Sequence, residues 1–312
     1  MTERPRVTVV GSLHYDIMVR APYLPRIGET LIGEAWGWKP GGKGGNQAMA
    51  AARYGAEVEM MGCLGSDEFG ARLRERLAVA RVGLEHVRTV VQGSGMSVAI
   101  EQDDGDYAAV VVSGANRDID ETQVARSAEA IRGSRVLLLQ NEISEMANTA
   151  AARLAHDAGA AVILNAAPAR PLGSIAGRVD VLVVNGVEAE MLGSDRVDSL
   201  EGAAVAAHGL RTLAATIIVT AGVAGVAAVS DAGTATVPAH PVSGTATHGA
   251  GDVFVGALAA QLADAAPLEQ ALRYANAAAA LHVGTPEADR EALGTADVRR
   301  LLQGTASDTA GA

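Results

Sequence analysis

This 312-residue chain is poor in four residue types: it has one cysteine, two tryptophans, two phenylalanines and two lysines. The lone Cys63 excludes an internal disulfide framework and any zinc site built from several cysteines. It also points to a reducing compartment, taken here as the cytoplasm. No run reaches the roughly 18 uncharged apolar residues that a membrane-crossing helix needs. The opening MTERPRVTVVGS carries charges and no long apolar stretch before a small-residue cleavage site, so no signal peptide is expected. A basic excess is missing too, because Lys+Arg 25 against Asp+Glu 36 leaves a net charge of −11. Sequence-independent binding of nucleic acid rests on cations that neutralise phosphates, and this balance argues against it. The seven histidines show no HExxH or comparable ligand spacing.

What is present suffices for a real core. Hydrophobic residues make up 49% and charged ones 20%, which rules out wholesale disorder. The length fits one large α/β unit over 1–312, or a core with an appendage. Aliphatic runs at 7–10, 58–63, 136–139, 161–164, 179–184 and 217–220 read as strands buried on both faces. Helical patterns at 45–54, 67–80, 121–132, 145–158, 199–213 and 253–264 lie between them. That alternation predicts a mostly parallel sheet with helices on both sides. Residues 13–39 and 96–113 break the rhythm, the second reading as a hairpin that turns at Asp104-Gly105. The pattern fits two strand segments of one small accessory sheet, a lid, as well as two ordinary edge hairpins. Small polar residues after Gly304 predict a frayed end.

Two glycine clusters can carry chemistry. Gly41-Gly42-Lys43-Gly44-Gly45-Asn46-Gln47-Ala48 leads into a helical run, so the backbone can approach a ligand and then present a helix N-terminus to it. Lys43 is one of only two lysines in the chain. Residues 37–43 have P-loop spacing, but Gly44 stands where magnesium needs a hydroxyl. A mobile glycine-rich turn explains this cluster equally well by itself. The second cluster, Thr247-His248-Gly249-Ala250-Gly251-Asp252, runs into the apolar Val253-Phe254-Val255-Gly256-Ala257-Leu258. Small residues at a helix start leave N–H groups aimed at one spot, which suits phosphate. A carboxylate there can accept a proton from an attacking hydroxyl, or it can simply cap the helix. A dinucleotide fingerprint is disfavoured, since Phe254 replaces its third glycine. Trp36 and Trp38 share one strand face, either covering substrate or packing in a lid or dimer interface. Cys63, in an apolar strand, reads as an inert buried thiol.

Together, GGKGGNQA and THGAGDVFVGAL resemble the two signatures of the PfkB carbohydrate kinase family, most of all its ribokinase branch. The resemblance continues in order through 11–16, 25–30, 65–70, 113–116, 139–142, 165–170, 185–188 and 220–225, covering nearly the whole chain. It implies a ribokinase-like three-layer α/β sandwich with a small β lid, and an ATP-dependent sugar kinase that phosphorylates a primary hydroxyl, D-ribose first. It implies Asp252 as the base, with the amides of Gly249, Ala250 and Gly251 stabilising the moving phosphoryl group. His14, Asp16, Gly42, Lys43, Asn46 and Glu142 would line the sugar site. Asn185, Thr220, Gly222, Gly225, Gly251 and Asn276 would serve the nucleotide. Asn185 and Glu188 would organise Mg²⁺ through water, although a helix cap explains that pair too. A homodimer through the lid is expected, with sugar and ATP as the small-molecule partners.

The departures from the family pattern carry expectations of their own. His14 replaces the usual Asn, which opens the sugar to another pentose, a ketohexose or a nucleoside. Ala246-Thr247 replaces Asp-Thr, and the stretch 285–291 lacks the Arg-x-Gly-x-x-Ser pattern. The family's monovalent cation site is therefore expected to be lost, unless Glu287 or Glu291 substitutes. A non-catalytic sugar or nucleotide sensor and a nicotinamide-dependent oxidoreductase are the other classes considered. The retained Asp252 disfavours the first, and the lack of a glycine fingerprint after the first strand disfavours the second.

Overall fold

The structure is a computed structural model and describes residues 4–102, 107–242 and 247–309. Nine strands form one sheet: β1 (Arg6–Val10), β4 (Glu57–Gly65), β5 (Val87–Val90), β8 (Val136–Gln140), β9 (Ala161–Asn165), β10 (Val181–Asn185), β11 (Thr216–Thr220), β12 (Gly225–Ser230) and β13 (Gly233–Pro238). Their order is β13-β12-β11-β10-β9-β8-β1-β4-β5, and only β12 and β13 run antiparallel to their neighbours. Four others, β2 (His14–Arg20), β3 (Ala35–Gly41), β6 (Gly95–Glu101) and β7 (Tyr107–Val112), make a separate small sheet ordered β3-β2-β6-β7.

Helices cover both faces of the large sheet. On one side lie α1 (Lys43–Arg53), α2 (Glu68–Val79), α8 (Ala250–Ala263), α9 (Leu268–Gly284) and α10 (Thr295–Thr309). On the other lie α3 (Glu121–Arg126), α4 (Ala128–Arg132), α5 (Glu145–Asp157), α6 (Gly186–Met191) and α7 (Leu200–Gly209). Side chains alternate between the two cores: Ile163 and Ile218 face the first, while Val162, Leu164, Ile217 and Val219 face the second. That is why these strands read as unbroken aliphatic runs, with both faces dry. The expected helix over 121–132 is two short ones meeting at Ser127. The expected frayed end instead continues as α10 to Thr309.

The small sheet matches the two off-rhythm segments, with an added parallel pairing between β2 and β6. The turn at Asp104-Gly105 lies outside the described residues. Tyr15 of β2 is stacked between Trp38 (4.5 Å) and Phe69 (4.1 Å), which fastens this sheet to α2. Trp36 is 72% exposed, so of the two tryptophans only Trp38 is packed. Cys63 is fully buried, and burial pushes its thiol pKa up, as expected of an inert thiol.

Two features place the site. The strand following β1 in the sheet on one side is β4, but on the other side it is β8, so the chain changes direction at the β1/β8 boundary. In open α/β sheets the crevice beyond the carboxyl ends of such strands is where ligands bind. Helix α8 is apolar nearly all round and is buried accordingly. It approaches α1 so closely at Gly256 that a Cβ there would come within 2.6 Å of the Gln47 carbonyl oxygen. The heads of α1 and α8 therefore meet over the crevice. No helix among the described residues is long and apolar enough to cross a membrane.

Candidate active site

The crevice floor is the loop after β1. Asn116 clamps it, accepting from the Leu13 N–H at 2.8 Å and donating to the Leu13 carbonyl at 2.9 Å. The Ser12 carbonyl accepts from Gly45 N–H at 2.9 Å, and its hydroxyl donates to Glu142 Oε2. The same Glu142 oxygen accepts from the Lys43 N–H at 2.9 Å, which sets a carboxylate on the N-terminus of α1. Gly42, with φ +79°, precedes that helix, and a Cβ on it would come 2.8 Å from the His14 nitrogen. Only glycine fits such a turn. The glycine cluster is thus a packed helix entry, with the backbone of Gly42 and Gly44 in close contact with the loop at Ser12.

Asp16 sits on β2 opposite Lys39 and Ser97, and the Ser97 hydroxyl donates to its Oδ1 at 2.6 Å. Its carboxylate lies directly over the backbone of Gly41, leaving no room for a Cβ there. His14 is 5% exposed, with Nδ1 4.0 Å from Glu142 Oε2 and Nε2 without a protein partner. His14, Asp16, Gly42, Lys43 and Glu142 are therefore brought together at one end of the crevice.

Asp252 stands in the first turn of α8, behind the left-handed Gly249. Its Oδ2 accepts from Asn46 Nδ2 at 3.1 Å and its Oδ1 from Gln47 Nε2 at 2.9 Å. Desolvation pushes its carboxyl above the usual range, while Lys43, Gln47 and Asn46 pull it back. One expectation needs correcting. The Ala250 N–H is taken by the Thr247 carbonyl at 3.1 Å, which closes the turn into the helix. Among the described residues, the N–H groups of Gly249 and Gly251 have no such acceptor, so these two are the open donors. A cavity of about 390 Å³ adjoins Asp252, lined in part by Trp38, Lys39, Asn46, His248 and Gly249. Both lysines of the chain thus lie at the site.

Farther along the same sheet edge, Asn185 and Thr220 end β10 and β11 side by side. Asn185 and Glu188 form a capping box: Asn185 Oδ1 accepts from the Glu188 N–H at 2.8 Å, and Glu188 Oε2 accepts from the Asn185 N–H at 2.9 Å. Desolvation raises the Glu188 carboxyl, partly offset by its bond to Asn185 and by Lys43. The loop from Thr220 holds Gly222 (φ +55°) and Gly225 (φ +117°). Asn276, on α9, donates to the Pro238 carbonyl at 2.8 Å, tying that helix to the end of β13. These residues form a second cluster beyond Asp252.

A model of the pfkB family carbohydrate kinases matches residues 4–293. The chain belongs to that family. It is 34% identical over 278 residues to the ribokinase of Bacillus subtilis, covering 89% of this chain and 92% of that one. It is 31% identical over 281 residues to the deoxyribokinase of Salmonella typhi, with 89% and 92% covered. The structure of Arabidopsis thaliana ribokinase complexed with ribose and ATP superposes with a TM-score of 0.89 at 30% identity, covering 96% of this chain and 99% of that one. The family resemblance and the ribokinase-like sandwich read from the sequence are therefore borne out.

In this pfkB kinase, several groups that build the site lie inside the sequence motifs but carry no role in the family resemblance. Gln47 follows Asn46 in the first motif, Gln140 stands two residues before Glu142, and Asn165 opens the stretch 165–170. A run of carboxamides at the ends of adjacent strands was the available signal. In the 285–291 segment, Glu291 forms an ion pair with Arg76 and Glu287 lines the cavity near Asp252. Ala246 lies outside the described residues.

Proposed function

We propose that this carbohydrate kinase transfers the γ-phosphoryl group of ATP to the primary hydroxyl of a pentose, D-ribose giving ribose 5-phosphate. The observation that carries the reading is the Asp252 carboxylate, fixed by Asn46 and Gln47 at the head of α8 beside two open backbone donors. Asp16, Glu142, Asn46 and the turn at Gly42-Lys43 hold the sugar hydroxyls, since carboxylates and amides match a polyol's paired donors and acceptors. Asp252 takes the hydroxyl proton as the phosphoryl group arrives in line. The N–H groups of Gly249 and Gly251, backed by the α8 dipole, stabilise the charge that gathers on the transferred oxygens. Thr220, Gly222, Gly225 and Asn276 cradle the nucleotide.

Magnesium would add charge neutralisation at the phosphates. Asn185 and Glu188 suit it through water, because Glu188 keeps its Oε1 outside the capping box and Asn185 Oδ1 keeps a second lone pair for a hydrated ion. Among the described residues no group of three or more His, Cys, Asp or Glu side chains converges for direct ligation. The small sheet acts as the lid that shuts water from the phosphoryl group. Its edge strand β7 exposes Val110 (69%) and Val111 (59%), and Trp36 is exposed on β3. Two such sheets pairing would cover these apolar side chains, giving a homodimer. Sedimentation velocity at micromolar protein should show that dimer, and a clean monomer sinks the pairing.

A coupled ADP-release assay over pentoses, hexoses and nucleosides tests the substrate. Ribose should give the highest kcat/KM. His14 beside Glu142 favours one second reading, a different pentose, and preference for a hexose or nucleoside overturns both. The same assay with KCl replaced by an organic cation salt at constant ionic strength should change rates less than about twofold. A severalfold rise with potassium would show that Glu287 or another carboxylate has rebuilt the cation site.

A further inference from the structure

We infer that Gln47 is a positioning residue for Asp252, held in a single orientation by Gln140 and Asn165 at the ends of β8 and β9; this rests on the kinase reading above. Gln47 is fully buried, so it cannot touch a sugar. Its Nε2 carries two hydrogens and both are committed: one bonds Asp252 Oδ1 and the other Asn165 Oδ1, each at 2.9 Å. Its Oε1 accepts from Gln140 Nε2 at 2.8 Å.

The polarity of this chain is fixed from outside. Asp252 presents only acceptors when ionised, and so does the Val183 carbonyl, which takes the Asn165 Nδ2 hydrogen at 3.2 Å. Asn165 must therefore turn its oxygen to Gln47, and Gln47 its nitrogen to both carbonyl-type oxygens. Flipping the Gln47 amide would set its oxygen against two acceptors and its nitrogen against the Gln140 donor. Gln140 and Asn165 are direct partners across β8 and β9, so the sheet itself spaces the two amides that grip Gln47. A space-filling residue at position 47 would need none of this. With Oδ1 held by Gln47 and Oδ2 by Asn46, the carboxylate cannot rotate about its Cβ–Cγ bond, and an oxygen stays aimed at the hydroxyl to be deprotonated. Misplacement of a reacting group by about 1 Å costs on the order of a hundredfold in rate.

Gln47→Met keeps the length of the side chain and removes its N–H groups. In the full-length enzyme with ATP and its best sugar, kcat should fall about thirtyfold while the sugar KM stays within about threefold. Gln140→Met, which removes only the group that orients Gln47, should lower kcat by a smaller factor, about fivefold. The double variant should match Gln47→Met alone, because Gln140 acts through Gln47. Thermal melts establish that each variant is folded. The inference is overturned by a folded Gln47→Met enzyme with kcat within twofold of the parent, by a loss carried in KM, or by a double variant at the product of the two single losses. If Gln47→Met does not fold, Gln140→Met decides by the same twofold limit. A parent enzyme that turns over no sugar sinks the kinase reading itself; an active parent matched by Gln47→Met sinks only the role of Gln47.

Discussion

Asp252→Asn should lower kcat by about a thousandfold and leave sugar affinity within a few-fold, since a positioned general base contributes on the order of 10² to 10⁴ in rate. The amide keeps the shape of the carboxylate and cannot take a proton. Helix α8 keeps its entry through Gly249 and the Ala250–Thr247 bond, neither of which involves the side chain. Steady-state kinetics and sugar binding by calorimetry check both halves, and turnover within tenfold of the parent would remove Asp252 from the mechanism. The pH dependence has a definite sign. Desolvation raises the Asp252 carboxyl, so activity on the acid side should fade above the ordinary carboxylate value of about 4. Stability runs the other way. A carboxyl raised in the native state favours folding most below its unfolded pKa, and that contribution is lost as pH rises through the native value. The native protein therefore holds an ionised group that costs stability where it is most active. The Asn variant should show a flatter melting temperature against pH than the parent.

Asp16→Ala should raise the sugar KM about a hundredfold, with a smaller fall in kcat. A carboxylate that accepts from two sugar hydroxyls makes charge-assisted bonds worth about 1.5–3 kcal/mol each, and every 1.4 kcal/mol is tenfold. The side chain has one protein donor, Ser97, so its removal leaves little else unpaired. Initial rates against sugar concentration provide the measurement, and a KM change below threefold would take Asp16 out of the sugar site.

The layered core was legible because strands dry on both faces are written as aliphatic runs. Residues 136–139 and 217–220 needed no partner to be recognised. The small sheet was legible as a break in rhythm, but the parallel pairing of β2 with β6 was not, since it joins segments about 80 residues apart. The loop after Thr220 takes its expected nucleotide contact from the family resemblance alone, and Gly225 also begins β12, where the sheet turns antiparallel. The two motifs that the resemblance rests on meet at the heads of α1 and α8, where Asn46 and Gln47 bond Asp252, while Ala250 departs from the expected set of open amides. Its N–H is claimed by a carbonyl three residues earlier, and a glycine-rich spelling does not say which amide closes its own turn. The carboxamide chain behind Asp252 was hidden for another reason. Gln140 and Asn165 could be noticed as carboxamides at strand ends, but only the sheet register pairs them, and only the packing of α1 on the sheet brings Gln47, inside that helix, between them.

The bond between Gln47 and Asp252 joins positions 205 residues apart. The groups at the sugar end, from His14 to Glu142, are all in the first half of the chain, whereas the proton acceptor lies in its final fifth and packs against them through α1 and α8. Bringing such distant segments together carries a loop-closure cost that is met only when the intervening strands have docked. A product lacking its final quarter therefore lacks both the proton acceptor and the helices that complete the core around α1.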